Sequence, residues 1–316
     1  MKPIKERIAA ILDNAGMLIV FVILFTALSV FVPNFFTVIN MKGLALSVSM
    51  VGMAACTMLF CLASGHFDLS VEAVVAASGV LAAVVMNATG SIFIGIISGL
   101  LGGALIGVIN GIVIAKFRIN ALITTLATMQ IVRGLGYIIS GGQAVGIQNS
   151  AFYTLGSAAF LGLPVPVWIT IACFILFGFI LNSTVFGRNT LAIGGNEEAS
   201  RLAGINVDRT KIIIFVLQGL MAASAGIILA SRMTSGQPMT SQGFALEVIS
   251  ACVLGGVSLT GGIGTMTGVI VGVMIMGTVQ NAMNLMNIPS FYQYVARGVI
   301  LLGAVLFDRL KQGNRK

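Results

Sequence analysis

Residues 91–115 read SIFIGIISGLLGGALIGVINGIVIA, an apolar stretch without charge. A hydrocarbon core about 30 Å thick requires roughly 20 residues of α-helix to cross it, so this stretch predicts a membrane-spanning helix. A glycine stands at every fourth position from Gly95 to Gly111, and a shorter stripe runs from Gly264 to Gly272. Glycines at this spacing let a second helix approach closely in lipid. Static close packing explains the stripes more simply than a moving helix interface, which is the alternative.

Similar apolar stretches recur along the whole chain. Of its 316 residues, 58% are hydrophobic and 8% are charged, and the mean hydropathy is +1.06. A soluble domain carries about 25% charged residues, and the alternation typical of a membrane β-barrel is absent. The predicted fold is all-α: a polytopic membrane protein of about ten transmembrane helices, forming one domain over residues 1–316. The predicted spans cover residues 15–32, 41–63, 69–87, 91–115, 120–140, 164–182, 211–231, 244–260, 264–284 and 292–307.

Positive charge marks the ends of these spans. The net charge is +8, and most Lys and Arg residues fall in five clusters: Lys2, Lys5 and Arg7; Lys116 and Arg118; Arg188 and Arg201; Arg209 and Lys211; and Arg309, Lys311, Arg315 and Lys316. Cytoplasmic segments carry an excess of such residues, so both termini are predicted to be cytoplasmic. The charge therefore sets topology, and no nucleic-acid partner is expected. The first apolar run, Met17 to Val32, lacks a cleavage site and is expected to remain as an anchor.

No group of residues predicts catalysis. His66 is the single histidine, and the four cysteines form no CxxC pair and lie in apolar runs, where they are expected to be small core residues. A GxxxxGK[ST] phosphate-binding loop is also absent. We therefore predict no catalytic residue, no metal site and no enzymatic activity on this chain.

Ionisable residues beside the spans are candidates for function because charge is costly in lipid. His66, Asp68 and Glu72 form a polar cluster at the junction of the second and third predicted spans. Asp68 and Glu72 would share one helical face and could line a translocation pathway. Alternatively, they cap exposed N–H groups where a helix is broken. Arg232 and Glu247 lie near predicted outer ends and are candidates for docking an external protein.

Two further arginines and one repeated sequence pattern also bear on function. Arg133 and Arg297 also lie near predicted outer ends, where arginines commonly extend to the interface; docking of an external partner is the alternative. An echo between residues 65–70 and 255–260, which share Gly and Leu-Ser/Thr at the same offset, is a weak hint of repeated halves with broken helices. A carrier coupled to protons or sodium would usually show carboxylates deep inside several spans. Only Glu72 is such a candidate here.

Residues 187–209 are the one sizeable polar segment between long apolar runs. Asn196 is a good helix N-cap, acidic residues in the first turn favour the helix dipole, and Gly204 suits a C-terminal stop. Three apolar residues at helical spacing form one narrow face on this short helix: Ala199, Leu202 and Ala203. A helix this short needs a partner surface to be stable. The alternative is a loop helix that lies on its own membrane domain.

This helix resembles a known signature. Residues 198–204, EASRLAG, resemble the EAA---G motif of permease subunits in bacterial ATP-binding-cassette importers, with Ser200 departing at the third place. The chain is also similar, end to end, to the permeases for ribose-type monosaccharides, notably in ALITTLATM at 121–129, in Arg133-Gly134 and in SRMTSGQP at 231–238.

The resemblance implies a transport function and several partners. The short helix would dock on an ATPase subunit that holds ATP and Mg, with no cofactor on this chain. Its expected coupling residues are Glu197, Glu198, Ala199, Arg201, Leu202 and Gly204. A periplasmic sugar-binding protein would deliver a monosaccharide, L-arabinose or a related pentose, to a homodimer in the bacterial inner membrane.

Two other functions fit the composition. One is a stand-alone secondary carrier or facilitator for a small polar solute, and the other is a structural membrane scaffold. Neither needs the short helix at residues 197–203, so this helix is the feature that favours the importer.

Overall fold

The computed structural model describes the backbone of residues 4–313 and the side chains of residues 16–306. The basic clusters at the two ends fall outside the described side chains. The helices are α1 Ile4–Phe31, α2 Val38–Ala63, α3 Val71–Thr89, α4 Ile92–Lys116, α5 Ala121–Ser140, α6 Thr154–Ser157, α7 Val165–Ser183, α8 Val185–Gly195, α9 Glu197–Leu202, α10 Val207–Met233, α11 Phe244–Leu254, α12 Met266–Leu285 and α13 Ser290–Gly313.

The described chain is a multi-pass helical protein, as predicted. Seven of its helices are long and apolar enough to cross a membrane: α2, α3, α4, α5, α7, α10 and α12. The other three predicted spans correspond to shorter apolar stretches, at Gly16–Phe31, Phe244–Leu254 and Ser290–Leu306. Among the residues whose side chains are described, 16–306, the count of ten is therefore not confirmed. The 11 residues of α11 measure only about 17 Å, and the irregular segment of residues 237–243 precedes them.

The glycine stripe of α4 lies where this helix meets α3 and α10. Gly95 packs against the Ala82 carbonyl and Gly99 against the Ser78 carbonyl, both on α3. Further along, a Cβ on Gly107 would overlap the backbone of Phe215 on α10. These contacts are the close packing that the spacing predicts. The core is centred on α2, whose residues from Val48 to Ala63 are buried.

Two breaks interrupt the helical bundle. Residues 64–70 join α2 to α3, and residues 234–243 join α10 to α11. The second segment carries strand β4, Ser235–Gly236, which pairs antiparallel with β1, Val145–Gly146, in the loop after α5. In the same loop β2, Ala159–Phe160, pairs with β3, Leu163–Pro164.

The residues of the echo lie in a helix junction and at the end of α11. Gly65 is in the junction after α2, whereas residues 255–265 connect α11 to α12. The Gly262 N–H donates to the Ala63 carbonyl oxygen at 2.8 Å, so the two connections touch. The cysteines are all free; Cys56, Cys61 and Cys252 are buried and Cys173 is half-buried.

Candidate functional site

The polar segment folds as α8 and α9, and α9 has both predicted ends. The Asn196 Oδ1 accepts a hydrogen bond from the Ala199 N–H at 2.9 Å, which caps the N-terminus. At the other end Gly204 is left-handed, with φ of +84°. The Ile205 N–H donates to the Ser200 carbonyl at 3.0 Å, and the Gly204 N–H donates to the Arg201 carbonyl at 3.1 Å. This pair of bonds is a Schellman motif, so the six-residue helix is closed at each end.

The apolar face of α9 points away from the rest of the chain. Leu202 is 86% exposed, and Ala199 and Ala203 are exposed beside it. Ser200, which departs from the EAA pattern, is the buried residue of this helix, and its hydroxyl donates to the Asn196 carbonyl at 2.8 Å. The departure therefore lies on the inner face and leaves the outer face apolar.

Ion pairs hold α9 against the membrane helices. The Arg201 guanidinium contacts Asp208 at 3.0 Å and Glu197 at 3.3 Å. The Lys211 Nζ contacts the other Glu197 oxygen at 2.7 Å, and the Lys116 Nζ contacts Asp208 at 3.4 Å. These five residues form an ion-pair chain from α4 through α10 to α9, which we call the coupling network. Sequence reasoning missed Asp208, Lys116 and Lys211, although their opposite charges at span ends were the available signal.

The coupling network changes the acidity of Glu197. Burial disfavours its charge, but the hydrogen bond and positive charge of Lys211, with a further contribution from Arg201, outweigh burial and lower the pKa of Glu197 below its ordinary value. Its carboxylate is therefore ionised at neutral pH and accepts from both cations. Glu198 follows it in the first turn and is exposed.

A cleft of about 480 Å³ lies between Glu197 and Lys211 of the coupling network and the connection from α4 to α5. Its polar lining residues are His66, Arg118, Asn120, Glu197 and Lys211. The His66 Nδ1 lies 2.8 Å from the Ser64 carbonyl oxygen. His66 thus lines this cleft together with Glu197 of α9, whereas Asp68 and Glu72 make other contacts.

Asp68 lies at the helix break and is 2% exposed. It precedes α3, so it does not share a helical face with Glu72 as expected. Its Oδ1 accepts from the Ser70 N–H at 2.9 Å and from the Ser70 hydroxyl at 2.6 Å. The Asn110 Nδ2 donates to the Ser70 Oγ at 2.9 Å, and the Thr128 hydroxyl donates to the Asn110 Oδ1 at 2.7 Å. This buried polar chain joins the junction to α4 and α5.

Glu72 contacts a different set of groups. Its Oε1 pairs with the Arg133 guanidinium at 3.2 Å, and its Oε2 accepts from the Gly243 N–H at 2.9 Å. Arg133 also donates to the carbonyls of Pro238 and Thr240, at 3.1 and 2.8 Å. The expectation that Arg133 extends to the interface is wrong, because its guanidinium turns inward and holds the segment before α11.

The two candidates for external docking differ. Arg232 is exposed at the end of α10, where an external protein could reach it. Glu247 is 7% exposed and pairs with Arg297 at 3.3 Å. Placing Glu247 on the docking surface is therefore wrong, since α11 lies within the bundle and turns this carboxylate inward. Arg297 is likewise held inward by this pair.

The candidate features are thus a helix exposed for docking and polar groups buried in a helical bundle. Within the described part of the chain, no three His, Cys, Asp or Glu side chains are grouped to hold a metal ion. The permease family described as "Branched-chain amino acid transport system / permease component" matches residues 40–305. The chain belongs to this permease family.

Several permeases are similar to the chain over almost its whole length. The L-arabinose transport system permease protein AraH of Escherichia coli (strain K12) is 68% identical over 304 residues, covering 96% of this chain and 93% of that protein. The L-arabinose ABC transporter permease protein AraH of Azospirillum brasilense is 54% identical over 306 residues, covering 97% and 90%. The ribose import permease protein RbsC of Bacillus subtilis (strain 168) is 41% identical over 303 residues, covering 95% and 94%. No solved structure matches the chain.

Family membership identifies the chain as a permease component, which is not itself an enzyme. It also agrees with the monosaccharide permeases that the sequence resembles, because the arabinose and ribose proteins both match. The family description names a different cargo, so cargo is argued from the individual relatives.

Proposed function

We propose that this permease imports L-arabinose, or a related pentose, across the bacterial inner membrane in an ATP-driven complex. The two arabinose permeases that resemble it at 68% and 54% identity support this cargo. A separate ATPase subunit holds ATP and Mg, and a periplasmic binding protein delivers the sugar. The chain works as a homodimer with its termini in the cytoplasm, and it carries no cofactor of its own.

The observation that carries the coupling role is the outward apolar face of α9. A two-turn helix is marginal alone, yet this one is capped at both ends and leaves Leu202 86% exposed. An exposed leucine flanked by alanines is suited to an apolar groove on a partner protein. The ATPase subunit is that partner in our proposal.

The coupling network gives α9 a route to the membrane helices. Glu197 and Arg201 attach α9 to α10, and Asp208 links α10 to Lys116 on α4. Since α4 and α10 are packed through glycine contacts, a displacement of α9 moves these two helices together. ATP binding then changes the bundle by favouring one of two positions of α9.

Reconstitution tests the function directly. Proteoliposomes with the chain, its ATPase and its binding protein should accumulate labelled L-arabinose when ATP is inside. Vesicles with the chain alone should not. Sustained uptake by the chain alone would contradict the proposal and favour a stand-alone carrier.

Two substitutions test the coupling helix. Gly204→Glu strains a left-handed position by about 1 kcal/mol, and Arg201→Glu places an acid between Glu197 and Asp208. Each variant should insert in the membrane and leave ATP hydrolysis by the ATPase in place, while sugar import is lost. Arg209→Glu is the matched control, because Arg209 is an exposed arginine outside the coupling network. Normal import by both test variants would count against α9 as the coupling helix.

A further inference from the structure

The segment before α11 lies at the middle depth of the bundle. Gly99 faces Ser78 and Gly95 faces Ala82, so α3 and α4 run antiparallel in a fixed register. Glu72 precedes Ser78 by six residues, and Leu105 follows Gly99 by six. The register therefore places Glu72 at the level of Leu105, near the middle of α4. The Gly243 N–H is bonded to Glu72 and therefore lies at the same depth.

The same segment descends along α3 to reach this depth. Gly236 packs against Gly79 and Val80, whereas Gly243 meets Glu72. The two levels are seven or eight helical residues apart, or about 11 Å at 1.5 Å per residue. Residues 237–243 thus cross the outer half of the bundle without forming a helix.

Part of this irregular segment is exposed. Met239 is 63% exposed, Gln242 is exposed, and Thr240 and Ser241 are partly exposed. On α5, Gln130 is exposed one turn before Arg133, whose guanidinium binds the Pro238 and Thr240 carbonyls of this segment. Irregular backbone at membrane depth is tolerated only when it is buried in protein or lines water, and a bare amide in hydrocarbon is also costly. Lipid therefore does not cover this surface, which we call the mid-depth surface (residues 237–243 and Gln130).

The chemistry of the mid-depth surface fits a neutral ligand. The charges beside it are paired: Glu72 with Arg133, and Glu247 with Arg297. The remaining exposed groups are amides, hydroxyls, backbone groups and the Met239 side chain. The Tyr294 ring lies in contact range of Gly243. Amides and carbonyls match sugar hydroxyls, and an aromatic ring matches a sugar's apolar face.

We infer that the mid-depth surface lines a water-filled sugar path in the assembled permease, with Gln130 and Gln242 as hydrogen-bonding contacts for a neutral polyhydroxylated ligand. Glu72 and Arg133 hold the segment in place from behind. This inference rests on the proposed import function and adds the position of the path to it.

Thiol accessibility tests the inference with a matched pair. Gln242→Cys is compared with Leu105→Cys, because Leu105 is 58% exposed at the same depth on α4. The complete transporter in membrane vesicles is treated with a charged methanethiosulfonate that does not cross lipid, and the parent chain serves as background for its native cysteines. A thiol in water ionises and reacts, whereas one in an apolar environment does not. Gln242→Cys should react at least about tenfold faster than Leu105→Cys.

Transport supplies the second measurement. Gln242→Leu should lower the initial rate of L-arabinose import about two- to tenfold, the effect of losing one net hydrogen bond. Leu105→Ala should import at the parent rate. If the parent transporter imports the sugar while Gln242→Cys reacts no faster than Leu105→Cys, the inference is overturned and the import function stands. If the parent complex imports no sugar, the import function itself fails.

Discussion

The two helix breaks of this permease differ in their environment: one is buried and the other is partly exposed. The junction at residues 64–70 is closed: Asp68 and Ser70 are buried, and side chains of α4 and α5 complete their hydrogen bonds. The segment at residues 237–243 is open: Arg133 and Glu72 hold it from one side, while Gln242 and Met239 remain exposed on the other. Similar backbone irregularity therefore has two environments in one bundle.

This difference indicates which break has a structural role and which has a role in transport. At the closed break the polar groups of Asp68 and Ser70 are satisfied by neighbouring side chains, so these two residues maintain the helix positions. An exposed break at membrane depth requires water or another protein surface beside it in place of lipid. At the other end of the closed break, Gly65, His66 and Phe67 line the cleft beside α9.

The largest effect is expected at the open break. Arg133→Met leaves Glu72 without its cation and two carbonyls without a donor, so the variant should lose about 3 kcal/mol of stability and most import. Denaturant unfolding in detergent and sugar uptake measure the two losses. The double variant with Glu72→Gln should recover part of the stability, because neither charge is then unpaired. A single variant as stable as the parent would show that this pair does not hold the segment.

A smaller effect is expected at the closed break. Asp68→Ala removes the acceptor for both Ser70 donors and should lower the free energy of unfolding by about 2 kcal/mol. Asp68→Asn keeps a carbonyl oxygen at that position and should retain most of the stability and import. Equal losses in the two variants would mean that the carboxylate charge, and not the hydrogen bonds, is required there. The closed break would then need a role in transport beyond holding helices.

The sequence predicted the features that depend on local spacing. The apolar runs gave the all-α membrane fold, the glycine stripe gave the α4 packing face, and Asn196 with Gly204 gave both ends of α9. Each is a short-range pattern whose physical consequence does not require knowledge of the neighbouring elements. The match to EAA---G depended on the same short segment.

The features that the sequence does not predict depend on contacts between residues that are far apart in the chain. Glu72 and Arg133 are 61 positions apart. The predicted spans leave the residues between 231 and 244 outside the membrane, which puts Glu247 near an outer end. In the structure these residues enter the bundle as irregular backbone, so Glu247 lies inside it. Hydropathy reports length and composition of an apolar run, and does not report that half of a crossing is made by irregular backbone.

The smallest predicted effect concerns the attachment of α9 beside the closed break. Burial opposes ionisation of Glu197, yet Lys211 and Arg201 lower its pKa below the ordinary value. A carboxyl group with a depressed folded pKa adds stability at pH above its unfolded pKa of about 4.3, and this stability is lost as the pH falls through the folded value. Backbone amides of residues 197–203 should therefore lose protection from hydrogen exchange, after correction for intrinsic rates, between pH 5 and about pH 3.

Glu197→Gln should show reduced protection already at pH 7 and a weaker change with pH. If the parent and Glu197→Gln change equally over this range, the attachment of α9 does not depend on this carboxylate, and the coupling network must act through Arg201 and Asp208.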